Sequence, residues 1–152
     1  MKILIVEDNM ILCGMIEKWL QKAGYEVLTA MDEPGARSIL KKNEINLVLG
    51  DVRLPEGNGI SLLEWMMRSN VEVPFIVMTD YACITDAVRA IKLGAKDYLQ
   101  KPVHQEQLIV RYYCFVWMFP KNGIDHLPCC NTVILCKRSP SIMSCSNPDT
   151  WM

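Results

Sequence analysis

Leu47-Val48-Leu49-Gly50-Asp51 is a short apolar run that ends in a single carboxylate. Three consecutive apolar residues without polar alternation fit a strand buried on both faces, which is the environment of a parallel sheet. The run does not stand alone. Ile3-Leu4-Ile5-Val6 ends in Glu7-Asp8, Phe75-Ile76-Val77-Met78 ends in Thr79-Asp80, and Asp97–Gln100 ends in Lys101-Pro102. Tyr25–Ala30 fits a further strand.

Helical periodicity fills the gaps. Ile11, Leu12, Met15, Ile16, Trp19 and Leu20 recur at helical spacing before Gly24, a residue suited to a helix stop. Asp32 is placed to cap a helix through about Lys42, with Ala36, Ile39 and Leu40 inward. Leu54-Pro55-Glu56-Gly57-Asn58-Gly59 carries loop chemistry and precedes a third helix over Ile60, Leu62, Leu63, Trp65, Met66 and Met67. Ile84, Ala87, Val88, Ile91 and Leu93 predict a fourth helix closed by Gly94, and a fifth begins near Gln105. Five strand–helix repeats predict an α/β fold, a parallel sheet with helices on both faces.

In such a sheet all strand ends of one sense lie on one edge, where open α/β sheets bind ligands. Glu7, Asp8, Asp51, Thr79 and Lys101 would meet there. Polar residues end strands in any protein, because strands stop at the surface; five at successive ends make that reading weak. Three carboxylates together would raise one another's pKa, and a divalent cation relieves them. Oxygen ligands suit magnesium. On this reading Asp8 and Asp51 bind the ion directly and Glu7 binds it through water. Asp51 can then attack a phosphoryl group, Lys101 adds positive charge, and Thr79 donates a hydrogen bond.

These stretches resemble the receiver domain of bacterial response regulators. The resemblance is carried by Ile3–Asn9, Leu49–Pro55 with Gly57 and Gly59, Val77–Tyr81 and Gly94–Pro102, in order and over about residues 1–108. It implies a five-stranded parallel sheet of order 2-1-3-4-5 with helices on both faces. It also implies that Asp51 is the phosphoacceptor, with Glu7, Asp8, Asp51 and the backbone carbonyl of Arg53 forming the Mg2+ site. Thr79 and Tyr98 would be the switch pair, and Lys101 the phosphate-binding lysine, with a cis bond to Pro102. Arg53 and Tyr81 flank the site and are candidates to tune the phosphate's lifetime. A sensor histidine kinase would be the donor. An output domain or partner protein would read the signal at the fourth helix, fifth strand and fifth helix, the surface through which a homodimer could also form. The wording around Thr79 and Tyr98 is closest to the nitrogen-regulation type.

Two rivals fit less well. Aspartyl-phosphate phosphatases carry a second Asp two residues after the nucleophile of the first strand, and here Asp8 is followed by Asn9-Met10. A degenerate receiver serving only for docking would lack Asp51, Thr79 or Lys101, and all three are present.

Composition sets further bounds. The chain has 152 residues, about half of them apolar, and a net charge of -1, which points to neither nucleic acid nor membrane partners. Met1-Lys2 leads into only a four-residue apolar run, so no secretory signal is expected. Localisation is expected to be cytoplasmic and the seven cysteines reduced. No window is long enough to span a membrane. No P-loop and no basic recognition helix is visible, so direct DNA binding by this chain is not expected.

The pattern changes after Leu108. Ile109–Phe119 is apolar all round apart from Arg111, and Pro120 ends any helix. Residues 121–152 contain no Ala, no Glu and one Gly, with Cys129, Cys130, Cys136 and Cys145. Paired Cys-x-x-Cys knuckles are missing, which argues against zinc. The expectation is a receiver over 1–108 and, over 109–152, a Cys-, Pro- and Ser-rich segment not evolved to fold. Such a segment would impair docking and favour aggregation through Tyr112–Phe119.

Overall fold

The computed structural model describes residues 1–80 and 84–118. Elements alternate throughout: β1 (Lys2–Val6), α1 (Met10–Lys22), β2 (Glu26–Ala30), α2 (Glu33–Lys42), β3 (Leu47–Asp51), α3 (Gly59–Arg68), β4 (Phe75–Thr79), α4 (Ile84–Lys92), β5 (Asp97–Gln100) and α5 (Gln105–Met118). The five strands form one sheet in the order β2-β1-β3-β4-β5, every pair parallel. This is the expected order, with β1 and β3 adjacent at the point where the winding reverses.

Continuous apolar runs became the central strands for a simple reason: both faces of the sheet are covered. Ile3 to Val6, Val48, Leu49 and Phe75 to Met78 are at most 1% exposed. Side chains alternate across a strand, so Leu4, Val6, Val48, Phe75 and Val77 share one face. They form a core with Ala36 and Leu40 of α2, Leu62, Leu63 and Met66 of α3, and Ala90 of α4. The outer strands β2 and β5 are only partly buried.

Helix termini follow local chemistry. The Asn9 side chain accepts from the Ile11 and Leu12 amides, and the Asp32 side chain from Gly35. Asn58 and Ser61 form a capping box at α3. After α1 the chain turns through Gly24 at φ +89°, a left-handed conformation that favours glycine.

Two helices expose more apolar surface than their periodicity implies. In α1 the buried residues are Cys13, Ile16 and Leu20, whereas Ile11 is 78% and Met15 45% exposed. In α4, Ala90 is fully buried, while Val88 and Ile91 stand outside. Apolar residues on more than one side leave the inward face open in the sequence, and packing against the sheet selects it. α5 runs as continuous helix to Met118, past the boundary set at 108. The described fold divides into units at Ile109/Val110. No described helix is long and apolar enough to cross a membrane.

Candidate phosphoacceptor site

Parallel pairing brings the strand ends into line. Val6 lies opposite Gly50, Asp51 opposite Met78, and Thr79 opposite Gln100. Glu7, Asp51, Thr79 and Lys101 therefore meet at the carboxyl edge of β1, β3, β4 and β5. Glu7, Asp51 and Thr79 are buried and Asp8 is exposed.

Lys101 is the central cation. Its Nζ donates to Asp51 Oδ2 at 2.7 Å and stands 2.7 Å from Glu7 Oε2. The second contact is an ion pair without hydrogen-bond alignment, and among the described residues Glu7 Oε2 has no hydrogen-bond donor. The other Glu7 oxygen accepts from the Asn9 amide at 3.2 Å. Burial, against the pull of Lys101, raises the Glu7 pKa, and the Asp51 charge adds to the rise. Burial alone would lower the Lys101 pKa, but contact with Asp51 and Glu7 outweighs it and the net direction is upward. The ammonium thus stays charged between two carboxylates.

The phosphoacceptor candidate is held from its own loop as well. The Arg53 amide donates to Asp51 Oδ1 at 3.2 Å. Gly59 packs against the Asp51 backbone; a Cβ there would overlap the Asp51 carbonyl oxygen and lie 2.9 Å from its carbon. Thr79 also closes the edge, with its carbonyl accepting from the Lys101 amide at 2.8 Å. The Lys101–Pro102 bond is cis. Tyr98 lies on β5 and is 40% exposed. Tyr81 lies outside the described residues, as do Cys83 and the cysteines from Cys129 onward.

A cation fits this donor set. Carboxylate oxygens of Glu7, Asp8 and Asp51 lie within 4.8 Å of one another. All are hard oxygen ligands of the kind magnesium takes, and the under-satisfied Glu7 Oε2 faces the same cluster.

Sequence reading passed over two contributors. Asn9 orients Glu7 through its amide while capping α1. Glu33, on α2, binds the β3–α3 loop: its carboxylate accepts from the Asn58 amide at 3.2 Å and from the Ser61 hydroxyl. The signal for Glu33 was a glycine at position 57, where a larger residue would not fit beside it.

Residues 3–113 match the family described as the response regulator receiver domain, and the chain belongs to that family. It is 32% identical over 109 residues to the response regulator SaeR of Staphylococcus aureus, covering 72% of this chain and 47% of SaeR. It is also 32% identical over 136 residues to a "Probable transcriptional regulatory protein" of Picosynechococcus sp., covering 81% of this chain and 54% of that one. The chain thus spans about half the length of these curated relatives. Among solved structures, a receiver domain protein from Methanospirillum hungatei superposes with a TM-score of 0.75 at 29% identity, over 80% of this chain and 98% of that one. The non-phosphorylated HemR receiver domain from Leptospira biflexa gives 0.71 at 28% identity, over 83% and 98%. The chain is a receiver domain of a two-component response regulator, a signalling domain by class.

Proposed function

We propose that this chain accepts a phosphoryl group on Asp51 and passes the change to an output partner. The observation that carries the reading is Asp51 itself, buried at the sheet edge, 2.7 Å from Lys101 Nζ and within 4.8 Å of two further carboxylates. The donor is a sensor histidine kinase. An Asp51 carboxylate oxygen attacks phosphorus, the new O–P bond forms, and the P–N bond of the phosphohistidine breaks with its electron pair left on the imidazole. Hydrolysis returns Asp51 as a carboxylate and releases inorganic phosphate. Magnesium, held by Asp8, Asp51 and the Arg53 carbonyl with Glu7 through water, supplies positive charge to the phosphoryl oxygens when bound. Lys101 moves from Asp51 to a phosphoryl oxygen. The Thr79 hydroxyl donates to another, and Tyr98 turns inward in response. Arg53 and Tyr81 limit water's approach and so set the lifetime of the phosphate.

The added charge biases two conformations of the surface formed by α4, β5 and α5. That surface engages the output partner or a second receiver. The printed name of the Picosynechococcus relative supports transcription regulation as the output. The cytoplasm is the compartment where such a kinase would meet it. The finer assignment to the nitrogen-regulation type rests on Thr79-Asp80-Tyr81 and Asp97-Tyr98 alone.

The test is incubation with a small phosphodonor and Mg2+, followed by intact mass. Wild type gains one phosphoryl group, and the gain disappears on chelation and in Asp51→Asn. No gain in wild type, or an equal gain in Asp51→Asn, defeats the proposal.

A further inference from the structure

The loop that follows the phosphoacceptor is tied down by a buried carboxylate on another helix. Glu33, the first residue of α2, is 6% exposed. Its amide donates to the Glu56 carbonyl at 3.2 Å. Its Oε2 accepts from the Asn58 amide at 3.2 Å and from the Ser61 hydroxyl, while Oε1 pairs with Arg37. Arg37 in turn lies 5.2 Å from the centre of the Trp65 ring on α3.

Apart from Arg37 on the same helix, the partners are all on one stretch. Residues 52–58 form a closed loop between β3 and α3, shut at its base by Gly59 N–H to the Val52 carbonyl at 3.3 Å and by an antiparallel bridge between Arg53 and Asn58. Glu33 grips the far strand of that loop and the first turn of α3. Arg53, on the near strand, donates to Asp51. Gly57 makes room for the grip. Its φ is +78°, and a Cβ there would overlap Glu33 Oε2 and stand 2.8 Å from Glu33 Cβ.

A carboxylate removed from water is costly unless fully paired. Here the pairing is directed at a surface loop, not at the core. We infer that Glu33 is a positioning residue: it fixes the β3–α3 loop so that the backbone around Asp51 and Arg53 is already arranged for a divalent cation. The inference rests on reading Asp51 as a magnesium-dependent phosphoacceptor. Groups that orient metal ligands at one remove carry about 10–100-fold of metal affinity.

The experiment titrates Mg2+ into the full-length, unphosphorylated protein and follows the amide resonances of Asp51 and Arg53. The initial rate of phosphorylation is then measured against Mg2+ concentration. Three variants accompany wild type: Glu33→Ala, Glu33→Gln, and Leu40→Ala as a core lesion in the same helix. The expected result is a half-saturating Mg2+ concentration raised about tenfold in Glu33→Ala, with the rate at saturating Mg2+ near wild type. Glu33→Gln, which keeps an acceptor and the side chain's shape, falls between. Leu40→Ala lowers the melting temperature without moving the half-saturation. Wild-type half-saturation in both Glu33 variants, or an equal shift in Leu40→Ala, overturns the inference alone. A wild type with no Mg2+ response overturns the phosphoacceptor reading and the inference with it.

Discussion

Asp51 is 3% exposed and Glu7 1% exposed, and carboxylates so far from water need a counter-charge. Lys101 is that charge in the absence of a metal. Lys101→Met should therefore lower stability by about 3–5 kcal/mol in chelator, the cost of breaking a buried ion pair. Mg2+ should restore more of that loss than it adds to wild type, because the ammonium no longer competes for the carboxylates. Urea unfolding with and without Mg2+ measures both, and equal midpoints for the two proteins in chelator would contradict the assignment. Cys13 gives a pH test. Burial, with Glu17 and Glu7 adding, raises its pKa. The stability contributed by the neutral thiol is present below an ordinary thiol's pKa of about 8.5 and is lost as pH rises through the higher folded value. Near pH 8.5 alkylation of the Cys13 peptide should be slower in native protein than in urea; equal rates would refute it. The site's carboxylates, hydroxyl and lysine were legible as residues because each lies just past a stretch that reads as a strand. Glu33 was not, because the loop residues it holds lie 23 or more residues away in sequence and only folding joins them.

Strands and helix ends were the legible elements. Apolar runs bounded by polar residues mark buried strands, and Asp32, Gly24 and Gly94 mark helix limits by backbone chemistry that acts locally. Helix facing was less legible, since α1 has apolar residues on more than one side and only packing selects Cys13, Ile16 and Leu20. Two glycines separate local from tertiary constraint. Gly14, within α1, has nothing among the described residues within 4 Å of an added Cβ, so Gly14→Ala should stabilise the protein by about 0.5–1 kcal/mol through helix propensity. Gly59→Ala sets a methyl against the Asp51 backbone and should cost about 1–3 kcal/mol, with slower phosphoryl uptake. Thermal melts of the pair check the signs, and a neutral Gly59→Ala would mean that the Asp51–Gly59 approach is looser than the structure has it.

For the whole molecule, the five-fold repeat made the sheet legible, and parallel topology gathered its strand ends into one site. The chain after Leu108 follows a different logic. α5 continues to Met118, yet the sequence from Ile109 to Met118 offers polar contrast only at Arg111. We propose that this stretch weakens orderly partner docking. Light scattering should show self-association that grows with concentration, and a clean monomer at high concentration would contradict it. The central act proposed for this receiver is the loading of one phosphoryl group onto one side chain. Borohydride reduces an aspartyl phosphate to homoserine, which peptide mass mapping can locate. After treatment with phosphodonor and Mg2+, homoserine is expected at position 51; modification at Asp8 or elsewhere, with Asp51 intact, would contradict the account.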